Sequence, residues 1–172
     1  MKHMPLMQYL MMAIMVAGIV FGPDRLYAAP RSGQAAPNFK VSTLSGQQVS
    51  LESYRGRVLV LDFFATWCQP CRVSIPHLVE MNRKYGQQGL FVLGMSADED
   101  GERAVKAFAE KNRMTYPVAL AGESTLADFG VRSVPVMFVI DKKGRVAEVF
   151  RGFTDEVARS SELLIKKLLA ER

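Results

Sequence analysis

The stretch VLVLDFFATWCQPC, Val58 to Cys71, decides the fold. Its first seven residues are apolar except for Asp62, with no alternation of polar and apolar positions. A strand of that kind is covered on both faces, as in a sheet with helices above and below it. Cys68 and Cys71 are the only cysteines in the 172-residue chain. Three positions apart on the first turn of a helix, they are close enough for a small disulfide ring. The strand ends at about Phe64, which puts Cys68 at the N-terminus of the next helix. Free backbone N–H groups and the helix dipole stabilise an anion there, so a thiolate forms more readily than at the ordinary cysteine pKa of about 8.5. Cys68 is the expected attacking thiol and Cys71 the resolving one. Pro70 suits the first helical turn because it has no N–H to leave unpaired. Trp67 is either an apolar wall beside the sulfur or a packing residue.

Outward from this stretch, strands and helices alternate. Val41 and Leu44 precede a Ser45-Gly46 turn signal, with Val49 and Leu51 after it, and together they read as a small hairpin. Beyond Cys71, Val73, Ile75, Leu78, Val79 and Met81 recur at helical spacing to about Tyr85, ended by Gly86 and Gly89. Leu90 to Met95 reads as a second buried strand, Glu102 to Lys111 as a helix and Tyr116 to Leu120 as a short strand. Ser124 to Phe129 reads as a short helix. Val134 to Ile140, with Pro135 near its start, reads as a strand that turns at Asp141 to Gly144 into Val146 to Phe150. Val157, Leu164, Ile165, Leu168 and Leu169 mark a closing helix. The order implies a mixed α/β sheet flanked on both faces by helices, with an N-terminal β-hairpin.

The chain opens differently. Lys2 and His3 give a short basic start, Leu10 to Phe21 is uncharged and apolar, and Ala28 and Ala29 follow. This is the layout of an export signal, or of a retained N-terminal membrane anchor, over residues 1–28. Residues 29–36, rich in Pro, Gly, Ser and Ala, read as a linker, and 37–172 as one domain large enough to fold without disulfide staples. The net charge of +5 is scattered, with Lys142-Lys143 in a turn and Lys166-Lys167 on a helix, so a nucleic-acid surface is not expected. Six of the ten methionines fall in the first fifteen residues, so they describe the leader and no copper site.

Chemistry narrows the role of the pair. A structural zinc site takes four ligands, and beyond the leader only Cys68, Cys71 and His77 offer thiol or imidazole. A ring this small constrains little of the unfolded chain, so stability is a poor reason for the spacing. Asp62, between Leu61 and Phe63, is a buried carboxylate with a raised pKa that can exchange a proton near neutrality. The alternative is a carboxylate merely hydrogen-bonded in place. His77, six positions beyond Cys71, reads as a surface or groove residue.

Asp62 to Cys71 resembles the active-site strand and loop of thioredoxins. Val134-Pro135 resembles that family's cis-proline element, and Pro76 matches its helix-kinking proline. With the leader, the hairpin and the Ser96 to Lys111 segment, the chain is most similar to the exported TlpA/ResA-like thiol-disulfide oxidoreductases over Ala35 to Arg172. The resemblance implies a thioredoxin-like fold and a cis bond at Pro135, with the Val134 backbone against the cysteines. Trp67, Gln69, Pro70 and Val134 are then the expected substrate contacts. Asp62 matches the buried aspartate thought to deprotonate the resolving thiol. In the ResA-like branch a glutamate after the next strand lies near the cysteines instead; Glu99 is the nearest match, flanked by Asp98 and Asp100. Thioredoxin's buried lysine has no counterpart.

The implied function is that of a monomeric, periplasmic or otherwise extracytoplasmic thiol-disulfide oxidoreductase without a cofactor. It would reduce disulfides in exported proteins such as apocytochromes c or metallochaperones, and a membrane electron donor would restore the dithiol. Two alternatives stay open: a DsbA-like oxidant, and a copper-handling relative, which would use wider-spaced cysteines and a distal histidine. A peroxidase would need an isolated peroxidatic cysteine outside the pair.

Overall fold

A computed structural model describes residues 29–99 and 101–171 of the chain, so the segment read as signal or anchor lies outside the described residues. Lys40–Ser42 (β1) and Gln48–Ser50 (β2) form the expected hairpin, with Val41 opposite Val49. Its turn closes through Gly46 at φ +84°, a left-handed conformation that glycine adopts without strain. A 3-10 turn at Leu51–Tyr54 follows, then Val58–Phe64 (β3), Gln69–Tyr85 (α1), Leu90–Ser96 (β4), Glu102–Lys111 (α2) and Val118–Leu120 (β5). Glu123–Asp128 (α3), Val136–Ile140 (β6), Val146–Arg151 (β7) and Asp155–Ala170 (α4) complete the order. Five strands make one sheet in the order β5-β4-β3-β6-β7. β3, β4 and β5 run parallel, while β6 and β7 run antiparallel to their neighbours.

Handedness assigns the layers. The crossovers β3–α1–β4 and β4–α2–β5 step the same way across the sheet, and right-handed connections therefore put α1 and α2 on one face. α4 joins them there. Val58, Val60 and Phe64 of β3 pack on that face with Ile75, Leu78, Met81, Val105, Phe108, Ile165 and Leu168. Leu59, Leu61 and Phe63 point the other way, onto the hairpin, the 3-10 turn and Phe129 behind α3. There Phe63, Phe129 and Phe138 meet with ring centroids 5.1 to 5.8 Å apart. All seven side chains of β3 are buried, and each large apolar one contributes roughly 1.5–3 kcal/mol relative to exposure. Strand parity sends Asp62 to the face of α1.

Both sheet edges are covered by chain that precedes β3. At the β5 edge, Leu44 N donates to Val118 O at 2.8 Å. At the β7 edge, Gly33 N donates to Val146 O at 2.8 Å, Val146 N to Gln34 O at 2.9 Å and Ala36 N to Gly144 O at 3.0 Å. Residues 33–36, expected within a linker, pack onto the sheet edge through these backbone bonds and through the burial of Ala36 in the core. Covering an edge in this way removes a template for strand addition.

Candidate active site

Cys68 is the N-cap of α1, with extended backbone at φ −81° and ψ 109°. Its Sγ accepts the backbone N–H of Cys71 at 3.2 Å, so sulfur stands where a capping oxygen usually sits. The first helical turn forms here because Pro70 lacks the N–H that would otherwise go unpaired. Cys68 and Cys71 form a disulfide with Cα atoms 5.3 Å apart. Cys68 keeps 4% of its surface and Cys71 none, so a molecule from solution meets Cys68. Trp67 is 69% exposed, which rules out a core-packing role and leaves a large apolar face beside the reachable sulfur. Gln69 and Pro70 are exposed on the same rim. Arg72 steadies the loop from the helix side, its Nη2 donating to Thr66 O at 2.9 Å.

The Val134–Pro135 peptide is cis. Pro135 is buried and its carbonyl accepts from Gly152 N at 2.9 Å, which fixes the start of β6 against the end of β7. Val134 is half-buried and packs against the cluster that contains both cysteines.

Asp62 is 1% exposed, opposite Gly94 on β4 and Met137 on β6. Burial pushes its carboxyl up to about 7, within reach of proton exchange at neutral pH. Its Oδ2 has no hydrogen-bond partner within the protein.

The acidic residue after β4 that reaches the active-site loop is Asp98 rather than Glu99. Asp98 accepts from Thr66 N at 2.9 and 3.2 Å, from Thr66 Oγ1 at 2.5 Å and from Ser96 Oγ at 2.6 Å. Glu99 is exposed, and Asp100 lies outside the described residues. The chain leaves the sheet at Ser96, and the residue two positions on lies beside the loop that follows β3. The resemblance made Glu99 the nearest match among three consecutive acids; the hydroxyls of Ser96, at the end of β4, and of Thr66, in the loop after β3, are the signal for Asp98. Asp98→Ala is expected to lower stability by about 2–4 kcal/mol in urea unfolding, because it strands the Thr66 N–H and two hydroxyls. Glu99→Ala should stay within about 0.5 kcal/mol. Equal effects from the two would sink the assignment of the clamp to Asp98.

His77 sits on the flank of α1 that meets α4, its Nε2 3.4 Å from Ser161 Oγ and its ring against Phe153. Burial lowers its pKa, and it takes no place beside the cysteines. Among the described residues no three His, Cys, Asp or Glu side chains are grouped to hold a metal ion, and no helix is long and apolar enough to cross a membrane.

Comparison with known proteins agrees with this geometry. Residues 32–149 match the AhpC/TSA family. The chain is 34% identical over 137 residues to the thiol-disulfide oxidoreductase ResA of Bacillus cereus (strain ATCC 10987 / NRS 248), covering 79% of this chain and 78% of that one. It is 32% identical over 123 residues to the thioredoxin-like protein YneN of Bacillus subtilis (strain 168), covering 71% and 72%. Among solved structures, the Chlorobium tepidum protein assigned as thiol:disulfide interchange protein DsbE superposes with a TM-score of 0.77 at 31% identity, covering 83% of this chain and all of the other. With a thioredoxin-like sheet, a cysteine pair at the head of its first long helix and these relatives, the chain belongs to the AhpC/TSA family and is a ResA-like thiol-disulfide oxidoreductase.

Proposed function

We propose that the protein is exported and reduces disulfides in extracytoplasmic proteins through Cys68 and Cys71. The observation that carries this reading is the unequal placement of the pair: Cys68 is reachable at a helix N-terminus and Cys71 is sealed behind it. With the pair reduced, Cys68 thiolate attacks one sulfur of a substrate disulfide, forming a mixed disulfide and expelling the other substrate sulfur as a thiolate. The Cys71 N–H and the free N–H groups of α1 favour the attacking anion. Cys71 then gives its proton to the Asp62 carboxylate and attacks Cys68 Sγ. The bond to substrate breaks, the second substrate sulfur leaves as a thiolate, and Cys68–Cys71 is oxidised by two electrons. Pro135 and Val134 line the approach, with Trp67, Gln69 and Pro70 as the rim that an extended substrate segment meets.

The oxidised pair needs a donor before it can act again. A membrane carrier of electrons from the cytoplasm fits an extracytoplasmic site, and apocytochromes c or metallochaperones fit as substrates because their cysteines must be reduced to take haem or metal. The leader over residues 1–28 and the ResA and DsbE names of the relatives support this location. The reductant reading is favoured over a DsbA-like oxidant by the connection from β4 to β5, whose one helix among the described residues is the ten-residue α2.

The test is the reduction potential of the couple in the full-length chain, equilibrated with defined thiol buffers. A value near that of thioredoxin, about −270 mV, is expected. A value near that of DsbA, about −120 mV, would reverse the direction of electron flow.

A further inference from the structure

Among the described residues, two buried side-chain polar atoms have no hydrogen-bond partner: Asp62 Oδ2 and the Tyr116 hydroxyl. Protein interiors rarely leave such atoms unpaired, so each asks for an explanation. Both flank Gly94, and the charge of Asp62 acts on Tyr116. Asp62 is opposite Gly94 in the β3–β4 ladder, where neighbouring strands run about 4.8 Å apart. Gly94 has no side chain, and the ring of Tyr116 occupies the space above it. A Cβ built on Gly94 would lie 3.4 Å from Tyr116 Cε2, 3.2 Å from Phe64 Cε1 and 3.4 Å from Met114 Cε. Tyr116 is itself only 4% exposed. Thus the carboxyl and the phenol flank the same glycine, on the face where α1 carries Cys71.

The buried apolar side chains packed on this face from α1, α2, α4 and β6 include Ile75, Leu78, Met81, Val105, Phe108, Ile165, Leu168, Met137 and Val139. Cys68 and Cys71 are joined in the disulfide, and His77 of α1 faces Ser161 and Phe153 on the α4 flank. The other buried carboxyl, Asp98, is committed to Thr66 and Ser96. Tyr116 keeps its proton, because burial and the charge of Asp62 both push its pKa well above the ordinary value. It can therefore only donate toward an anion. The two atoms make no direct bond to one another, and two polar partners are the minimum that a bound water requires.

We propose that Tyr116 is a positioning residue for thiol exchange: its hydroxyl and Asp62 Oδ2 hold one water between them over Gly94, and this chain sets the pH at which Asp62 accepts the Cys71 proton. The proposal rests on the reading that Asp62 is that acceptor. The phenol donates to the water and the water to the carboxylate, which favours the charged form of Asp62 against its burial. No bond to sulfur is altered by Tyr116; it acts through Asp62 alone.

Tyr116→Phe removes the one oxygen and keeps the ring over Gly94. The Asp62 carboxyl is titrated by carbon NMR in the oxidised full-length chain, and release of substrate from the Cys68 mixed disulfide is followed against pH. In Tyr116→Phe the Asp62 midpoint should rise by about 1 pH unit, which makes release roughly tenfold slower at a fixed pH below the midpoint. In an Asp62→Asn background, Tyr116→Phe should move the release profile no further. A midpoint that rises by less than half a unit overturns the proposal at Tyr116. A midpoint that rises while the release profile stays in place removes Asp62 from the reaction, and overturns the proposal at the reading it rests on.

Discussion

Cys71→Ser in the full-length chain is expected to stop turnover and to collect substrate on Cys68. The first attack needs Cys68 alone, at the N-cap of α1 with its sulfur in reach of solvent. Release needs a second sulfur within the ring that spans 5.3 Å between Cα atoms, and a serine oxygen does not displace a disulfide. Serine keeps the Cys71 backbone N–H that bonds to Cys68 Sγ, so the cap survives. Catalysed disulfide reduction should be lost, as when one member of a catalytic unit is removed. A higher-mass species should appear on non-reducing gels and vanish with added dithiol. Cys68→Ser should be as inactive but should collect nothing, because Cys71 has no exposed surface. Trapping on Cys71 in that variant would exchange the two roles and sink the assignment.

Most of the fold is legible because the sheet is buried on both faces. β3, β4 and β6 read as continuous apolar runs, and helical spacing returns between them, so the order of elements follows from the sequence alone. The layers follow from handedness once that order is known. Residues 33–36, read as linker from their composition, bond to Gly144 and Val146 mainly through main-chain atoms, which a side-chain pattern does not record. Leu51–Tyr54 is a 3-10 turn for the same reason, being too short for a period. Within the site, the cysteine pair and the burial of Asp62 were legible from residue type and place in a strand or helix, and the cis bond at Pro135 only through the resemblance to thioredoxins. Asp98 was not, since its identity depends on which of three adjacent acids faces back to Thr66. Gly94 and Tyr116 were not legible either: an absent side chain and the ring that fills its space declare themselves only in the packed state.

Asp62 should govern how stability changes with pH. Its carboxyl titrates at about 7 in the folded chain, against about 3.9 for an exposed aspartate. The folded state therefore holds the proton more tightly than the unfolded one. Its contribution is fully present below about pH 4 and is lost as pH rises through 7, a decline of about 4 kcal/mol. Asp62→Asn carries no ionisable group and should flatten this decline. Measured by urea unfolding of the oxidised protein at pH 4 and pH 8, the wild type should lose about 4 kcal/mol more than the variant across the interval. A constant offset from the unpaired amide, about 1–3 kcal/mol, would lower the variant at both pH values and leave the difference intact. Equal pH dependence in the two proteins would mean that Asp62 is charged at no cost, and would remove the physical basis for its proton exchange with Cys71. Should the flattening appear together with slower release of substrate near pH 7, one cause would account for both. The apolar face of α1 that destabilises the carboxylate is also what brings its proton affinity into the range where a thiol can use it.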